Sequence, residues 1–234
     1  MPAPEAIQEA LCVDLATESV RALNQRLHDD REPRRVRVVN PAGMHSIGVG
    51  ISVAHEVEID GHAGYYCAGM NQLATVHVRG NCGVGVAENM MSGTVVVEGG
   101  ASQSAGASAR GGLLVIRGDA SARCAISLKG ADVVVHGSVG HMSAFMAQTG
   151  SLVVCGDAGE ALGDSLYEAR LYVRGSVAEL GADCVEKELR PEHLEELGEL
   201  LRRAGVEDAH PDEFRRYGSA RRLYNFHVEN LGSY

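Results

Sequence analysis

Six cysteines and ten histidines are the residues of this chain best suited to hold a metal or to serve as nucleophile and base, so their spacing decides what chemistry is open to it. Cys12, Cys67, Cys82, Cys124, Cys155 and Cys184 are separated by 55, 15, 42, 31 and 29 residues. No Cys-x-x-Cys pair is present to seed a zinc or iron–sulfur site, and the six read as free thiols used as small hydrophobes. His28, His45, His55, His62, His77, His136 and His141 include no His-x-x-x-His pair, so no helical metal face is expected. His136 and His141 are five apart but fall at different places in the repeat described below. Gly-x-Ser-x-Gly does not occur, and Gly99 to Gly106 approaches it only through its run of small residues. Gly80 to Glu88 begins like a dinucleotide-binding turn, but Glu88 stands where the third glycine belongs. Asp157 and Glu160 read as turn residues on the outside of a coil. These residues predict no catalytic, cofactor-binding or metal site on the chain.

The 234 residues carry 21 Lys and Arg against 31 Asp and Glu, a net charge of −10. That balance argues against nucleic acid, whose phosphates call for a basic stripe. No run of 18 apolar residues exists to span a membrane. Met1 to Ala10 has neither a basic start nor an apolar stretch, so no secretory leader is expected and the cytoplasm is the expected compartment. There is no Trp and there are only 3 Phe and 7 Tyr, yet 29 Gly. A core with so few rings must be filled by small and branched aliphatic residues between closely approaching backbones.

The element that would do this is a tandem repeat. VEIDG, VHVRG, VVVEG, LVIRG, VVVHG, LVVCG and LYVRG end at Gly61, Gly80, Gly99, Gly118, Gly137, Gly156 and Gly175, each 19 residues after the last. Two positions before each glycine stand Ile59, Val78, Val97, Ile116, Val135, Val154 and Val173, and four before stand only Val or Leu. A spacing of two puts both columns on one face of a strand, which must face a core. The glycine suits a corner with positive φ or tight backbone approach. Seven residues after it come only Ala or Gly, from Ala68 to Ala182, which implies a crowded interior. Nineteen residues is too short for a two-helix repeat, and it would slip a hexapeptide coil by one residue each turn. The spacing therefore predicts an all-β fold: a right-handed parallel β-helix of about seven 19-residue coils, flanked by N- and C-terminal helices. At roughly 4.8 Å per coil, seven coils rise about 34 Å.

Three segments follow from this: residues 1–56 with a helix and lead-in strands, 57–183 as the β-helix, and 184–234 with a second helix and an aromatic tail. In the first, Thr17 is expected to cap a helix with Val20, Leu23 and Leu27 on its apolar side, ahead of strands over Val36 to Asn40 and Ile47 to Val53. In the last, Pro191 opens a helix bearing Leu194, Leu197, Leu200 and Leu201, and Gly205 closes it. The tail from Phe214 holds Phe214, Tyr217, Tyr224, Phe226 and Tyr234. On the outward strand face, three residues before each glycine, Glu58 and His77 are followed by an apolar ladder of Val96, Val115, Val134, Val153 and Tyr172. An exposed ladder of that length must be covered, by the terminal helices or by another subunit. Val96, Val115, Val134, Val153, Tyr172, Tyr224 and Phe226 are the expected partner surface. A charge at inward Val135 is then expected to unfold the stack, and one at outward Val134 to spare it. Beside the ladder, Asp60, Arg79, Glu98, Arg117, His136, Cys155 and Arg174 alternate in a way that suggests pairing between neighbouring coils.

The glycine-studded coils, with Gly61 to Gly64, Gly80 to Gly83 and Glu88 to Gly93 leading into Val95 to Gly99, resemble the GXGXG β-helix domain family. That domain forms the C-terminal part of the large subunit of bacterial glutamate synthase and one of the subunits of formylmethanofuran dehydrogenase. Asp60 to Asn71, Gly137 to Gln148 and Phe214 to Phe226 are similar to the stand-alone version, the β-helix subunit of N-methylglutamate synthase (methylamine–glutamate N-methyltransferase) and of split glutamate synthase-like complexes. The order helix, coil, helix, aromatic tail extends the similarity nearly end to end. The resemblance implies a scaffold without catalytic residues that packs against an amidotransferase-like subunit and an FMN-binding, iron–sulfur synthase subunit. FMN and the cluster would belong to that partner and not to this chain. Formylmethanofuran dehydrogenase fits less well at both termini, and a self-contained β-helix enzyme would need a charged catalytic groove.

Overall fold

A computed structural model describes residues 11–222. The chain opens with β1 (Leu11–Asp14) and α1 (Val20–Asp29), followed by β2 (Arg35–Val39) and β3 (Glu56–Ile59). The strands β4 (Thr75–Val78), β5 (Thr94–Val97), β6 (Leu113–Ile116), β7 (Lys129–Val135), β8 (Thr149–Val154) and β9 (Arg170–Val173) come next. Last are β10 (Cys184–Lys187), α2 (Pro191–Ala204) and β11 (Arg215–Ser219). From β1 to β9 every strand pairs in parallel with the next. The register stacks Val78 on Val97, Val97 on Ile116 and Ile116 on Val135, so one repeat is one coil of a parallel β-solenoid. The inward columns are buried along the whole stack.

The repeat glycines form one edge. Gly99, Gly118, Gly137, Gly156 and Gly175 each donate their N–H to the carbonyl of the repeat glycine one coil before, at 2.9–3.1 Å. Close approach, more than an unusual φ, excludes a side chain here: a Cβ on Gly118 would lie 2.9–3.0 Å from the backbone of Gly99 and Gly100. Gly61 alone of the seven has a positive φ, +137°.

A third run closes each coil by zigzagging. Tyr66, Ala68 and Met70 have left-handed φ of 59°, 53° and 54°, and Arg123, Ala125 and Ser127 repeat this at 60°, 58° and 51°. The alternation sends successive amides up and down the stack. Arg123 and Ser127 donate forward, to His141 and Phe145, at 2.8 Å, whereas Ala125 donates backward to Ala105 at 2.8 Å. The middle residue points inward and is fully buried at Ala68, Ala87, Ala125 and Ala144, which is why that column admits only small side chains.

The winding begins upstream of residue 57, because β2 already pairs with β3. Ile47 to Val53 is not a strand; it belongs to the turn run of an earlier coil, with Ser46 and Gly50 donating to Tyr65 and Gly69. Among the described residues no turn run precedes it, and α1 takes that place. Asn24 accepts the Gly48 amide at 2.9 Å and donates to the Ser46 carbonyl at 2.7 Å, meeting the polar groups an open end leaves bare. The cap of α1 is Ser19, whose Oγ accepts from the Ala22 amide; Thr17 instead donates to the Asp14 carbonyl. Leu23 and Leu27 are buried and Val20 partly so.

At the other end β11 inserts antiparallel between β9 and β10. Phe214 and Tyr217, which the sequence places at the start of an aromatic tail expected to anchor to the coil or to a partner, are therefore buried. Tyr224, Phe226 and Tyr234 lie outside the described residues. α2 ends as expected on Gly205 at φ +66°.

Candidate interaction surfaces

The histidines act as mortar between elements. His55 is buried, with Nδ1 accepting from the Arg34 amide at 3.2 Å and Nε2 on the Leu27 carbonyl at 3.1 Å, and His28 meets the Val49 carbonyl at 2.7 Å. His45 and His62 accept the backbone amides of Tyr65 and Asn81, each at 2.9 Å. His62 starts a side-chain ladder one residue after the repeat glycines, continued where Asn81, Asp119, Ser138 and Asp157 accept the amides of Gly100, Ser138, Asp157 and Ser176. Asp157 is thus a tie between coils, and its carboxyl is held below the usual carboxylate range by the Ser176 amide and hydroxyl.

Five of the six cysteines are buried and all six are free thiols. Burial pushes the Cys124 and Cys184 thiols up to about 12 and Cys155 to about 11, far from the thiolate a nucleophile needs. Hydrogen bonding to Cys67, then burial, pushes the Cys82 thiol upward as well. Among the described residues no three His, Cys, Asp or Glu gather to hold a metal ion, and no helix is long and apolar enough to cross a membrane.

The outward ladder divides in two. Val115, Val134, Val153 and Tyr172 are 0–1% exposed beneath α2, in a second core with Leu197, Leu200, Leu201, Ala204 and Phe214. Val96 packs at its margin. Val115, Val134, Val153 and Tyr172 are therefore not a free partner surface, because the chain's own helix covers them, and Val96 is partly covered at its edge; an aspartate at Val134 would be as buried as one at Val135. Polar ties complete the joint. Glu196 receives Arg170 at 2.9 Å and the hydroxyls of Tyr172 and Ser151 at 3.3 and 3.4 Å. Arg117 and Arg174 reach the carbonyls of Gly205 and Asp208 at 3.0 and 2.9 Å. Within their own column Arg117 meets His136 at 3.1 Å, and Arg174 donates to the Cys155 carbonyl at 2.9 Å. The alternation of types in that column thus gives contacts but, among the described residues, no ion pair between its members; the two arginines grip the segment after α2.

Ahead of α2 the same face is solvated. Arg35 pairs with Glu56 at 2.7 Å, Arg37 with Asp60 at 2.6 Å, Arg79 with Glu58 at 2.6 Å, and His77 with Glu98. The last three pairs run diagonally between the two outward columns. Around the corner, at the end of the turn run, Met70, Leu73 and Met91 are exposed together, beside Gln72, Asn89 and Ser92. Tyr65, also exposed, stacks on His45 with ring centroids 4.5 Å apart. The residue pattern gave little warning of the methionine patch, because it does not recur coil after coil as the strand columns do.

No protein-family profile matches the chain, and no solved structure does. Among curated proteins it is 60% identical over 225 residues to "Protein GlxC" of Rhizobium meliloti (strain 1021), covering 95% of this chain and 99% of that protein. Agreement of that depth over nearly the full length of both chains means that the chain belongs to the GlxC family.

Proposed function

We propose that this chain is a scaffold subunit, without an active site of its own, in a cytoplasmic complex of the N-methylglutamate synthase or split glutamate synthase type. Its partners are an amidotransferase-like subunit and a synthase subunit that carries FMN and an iron–sulfur cluster. The reading rests on the near end-to-end resemblance of the sequence to the stand-alone GXGXG subunits of such complexes. The observation that carries it furthest is stiffness. Each coil is tied to both neighbours by strand pairing, by the glycine edge and by the alternating amides of the turn run. A body that deforms little can hold two distant centres in register, which is what passing a reactive nitrogen between subunits demands.

The test is co-expression with amidotransferase-like and flavin-binding chains from the same source. The three should elute as one species with flavin absorbance, and this chain alone should be colourless and without synthase turnover. Elution of this chain apart from both others would overturn the proposal.

A further inference from the structure

The methionine patch is built, not merely left over. Met70, Leu73 and Met91 are 43%, 55% and 47% exposed and line a shallow depression of about 630 Å³. Leu73 stands on a turn fixed by Asn71, which is fully buried. The Asn71 amide nitrogen donates to the carbonyls of Ala74 at 2.8 Å and Ser92 at 3.2 Å, and its oxygen accepts from the Ala74 amide at 3.3 Å. In the next coils that buried column holds Met90, Ala109 and Leu128. An apolar core position is thus given to an asparagine, and the result is a rigid turn presenting leucine to solvent.

The column that contains Met91 continues in the next two coils as Arg110 and Lys129. Among the described residues neither side chain has an ion pair or hydrogen bond, whereas the arginines of the sheet face are paired. On a chain of net charge −10, two uncommitted cations beside an apolar seat define a recognition pattern. From this geometry, and resting on the complex-subunit reading above, we infer that Met70, Leu73 and Met91 with Arg110 and Lys129 form the docking site for a protein partner's acidic–apolar segment. Its apolar side chains fill the seat. Its carboxylates follow one to two coil spacings away, about 5–10 Å along the stack. Methionines suit such a seat because their flexible thioethers repack around different shapes.

Three full-length variants test this: Leu73→Ser, Met91→Ser, and Arg110→Glu with Lys129→Glu. Each is titrated against the amidotransferase-like and flavin-binding chains separately, with thermal unfolding as the control for folding. Wild type should bind one of them, more weakly as salt is raised. Leu73→Ser and Met91→Ser should each weaken that binding at least tenfold with the unfolding temperature unchanged. The charge-reversed variant should lose affinity, and added salt should no longer weaken the binding that remains. Wild-type binding that all three variants retain would overturn this surface while leaving the subunit reading intact; failure of both the wild type and a chain lacking residues 223–234 to bind either partner would overturn both. Self-association abolished by Leu73→Ser would assign the seat to a second copy. Partner binding that appears only after deletion of residues 223–234 would assign it to this chain's own C-terminal segment. Either outcome overturns the proposal.

Discussion

At the scale of single residues, the glycine edge and the half-buried His136 carry the most specific consequences. A Cβ on Gly118 would meet backbone that has no room to withdraw, because Gly99 and Gly100 are themselves locked in the ladder. Gly118→Ala should therefore cost roughly 1–3 kcal/mol. Gly198 lies inside α2, where the nearest atom to a new Cβ is Pro211 Cγ at 3.5 Å, so Gly198→Ala should stabilise by up to about 1 kcal/mol. Urea unfolding of both separates close approach from a general effect of replacing glycine. His136 lies against the end of α2, and burial, then the charge of Arg117, holds it below the usual histidine range. A histidine that binds its proton less readily when folded gives stability that is whole above its ordinary value of 6.5 and is lost as pH falls below it. Stability should thus drop as pH falls from about 7.5 to about 5.5, and His136→Gln should reduce that slope in denaturant titrations at the two pH values, leaving the part due to His193, which burial also holds below the histidine range. Asp132, pushed upward mainly by burial, works in the opposite sense from the carboxylate range upward, so it cannot account for that drop.

Strand, turn run and helix were legible in the sequence to different degrees. The inward columns were plain because Ile59 to Val173 recur at one spacing and β-branched residues fit a pleated buried face. The turn run was not, because its left-handed positions carry Tyr66, Arg123 and Met142 as well as glycine, and no residue type announces them. Such a backbone costs an ordinary residue roughly 1–2 kcal/mol, a cost the intercoil hydrogen bonds override. At Arg123, replacement by Gly should raise stability by up to about 1 kcal/mol and replacement by Val should lower it by a similar amount, read from the urea midpoint. The covered ladder was visible as an apolar column, but sequence spacing could not say whether α2 or a foreign subunit lies on it. Since α2 does, Val134→Asp should cost on the order of 3 kcal/mol or more. It should release α2 to proteolysis while the coils keep their far-ultraviolet signal; Val135→Asp, inside the stack, should lose both.

For the whole molecule, the division of surface matters most. One outward face is closed by α2 over β6 to β9, the same face is a lattice of ion pairs over β2 to β5, and the first coils present a methionine and leucine seat around the corner. Among the described residues, Asn24 of α1 and the antiparallel β11 close the two ends of the regular coil. The N-terminal cap was foreseeable as a helix; at the other end the expected helix, α2, lies along the side of β6 to β9, and the insertion of β11 was not foreseeable, because an antiparallel strand leaves no trace in a 19-residue period. The proposed scaffold role predicts an effect on coupling more than on either half reaction. The direct measurement is glutamine consumed against aminated product formed by the two proposed partner chains, with and without this chain. With it, the two should advance one for one; without it, glutamine hydrolysis should continue while product falls away. An equal ratio in both mixtures would contradict the scaffold role.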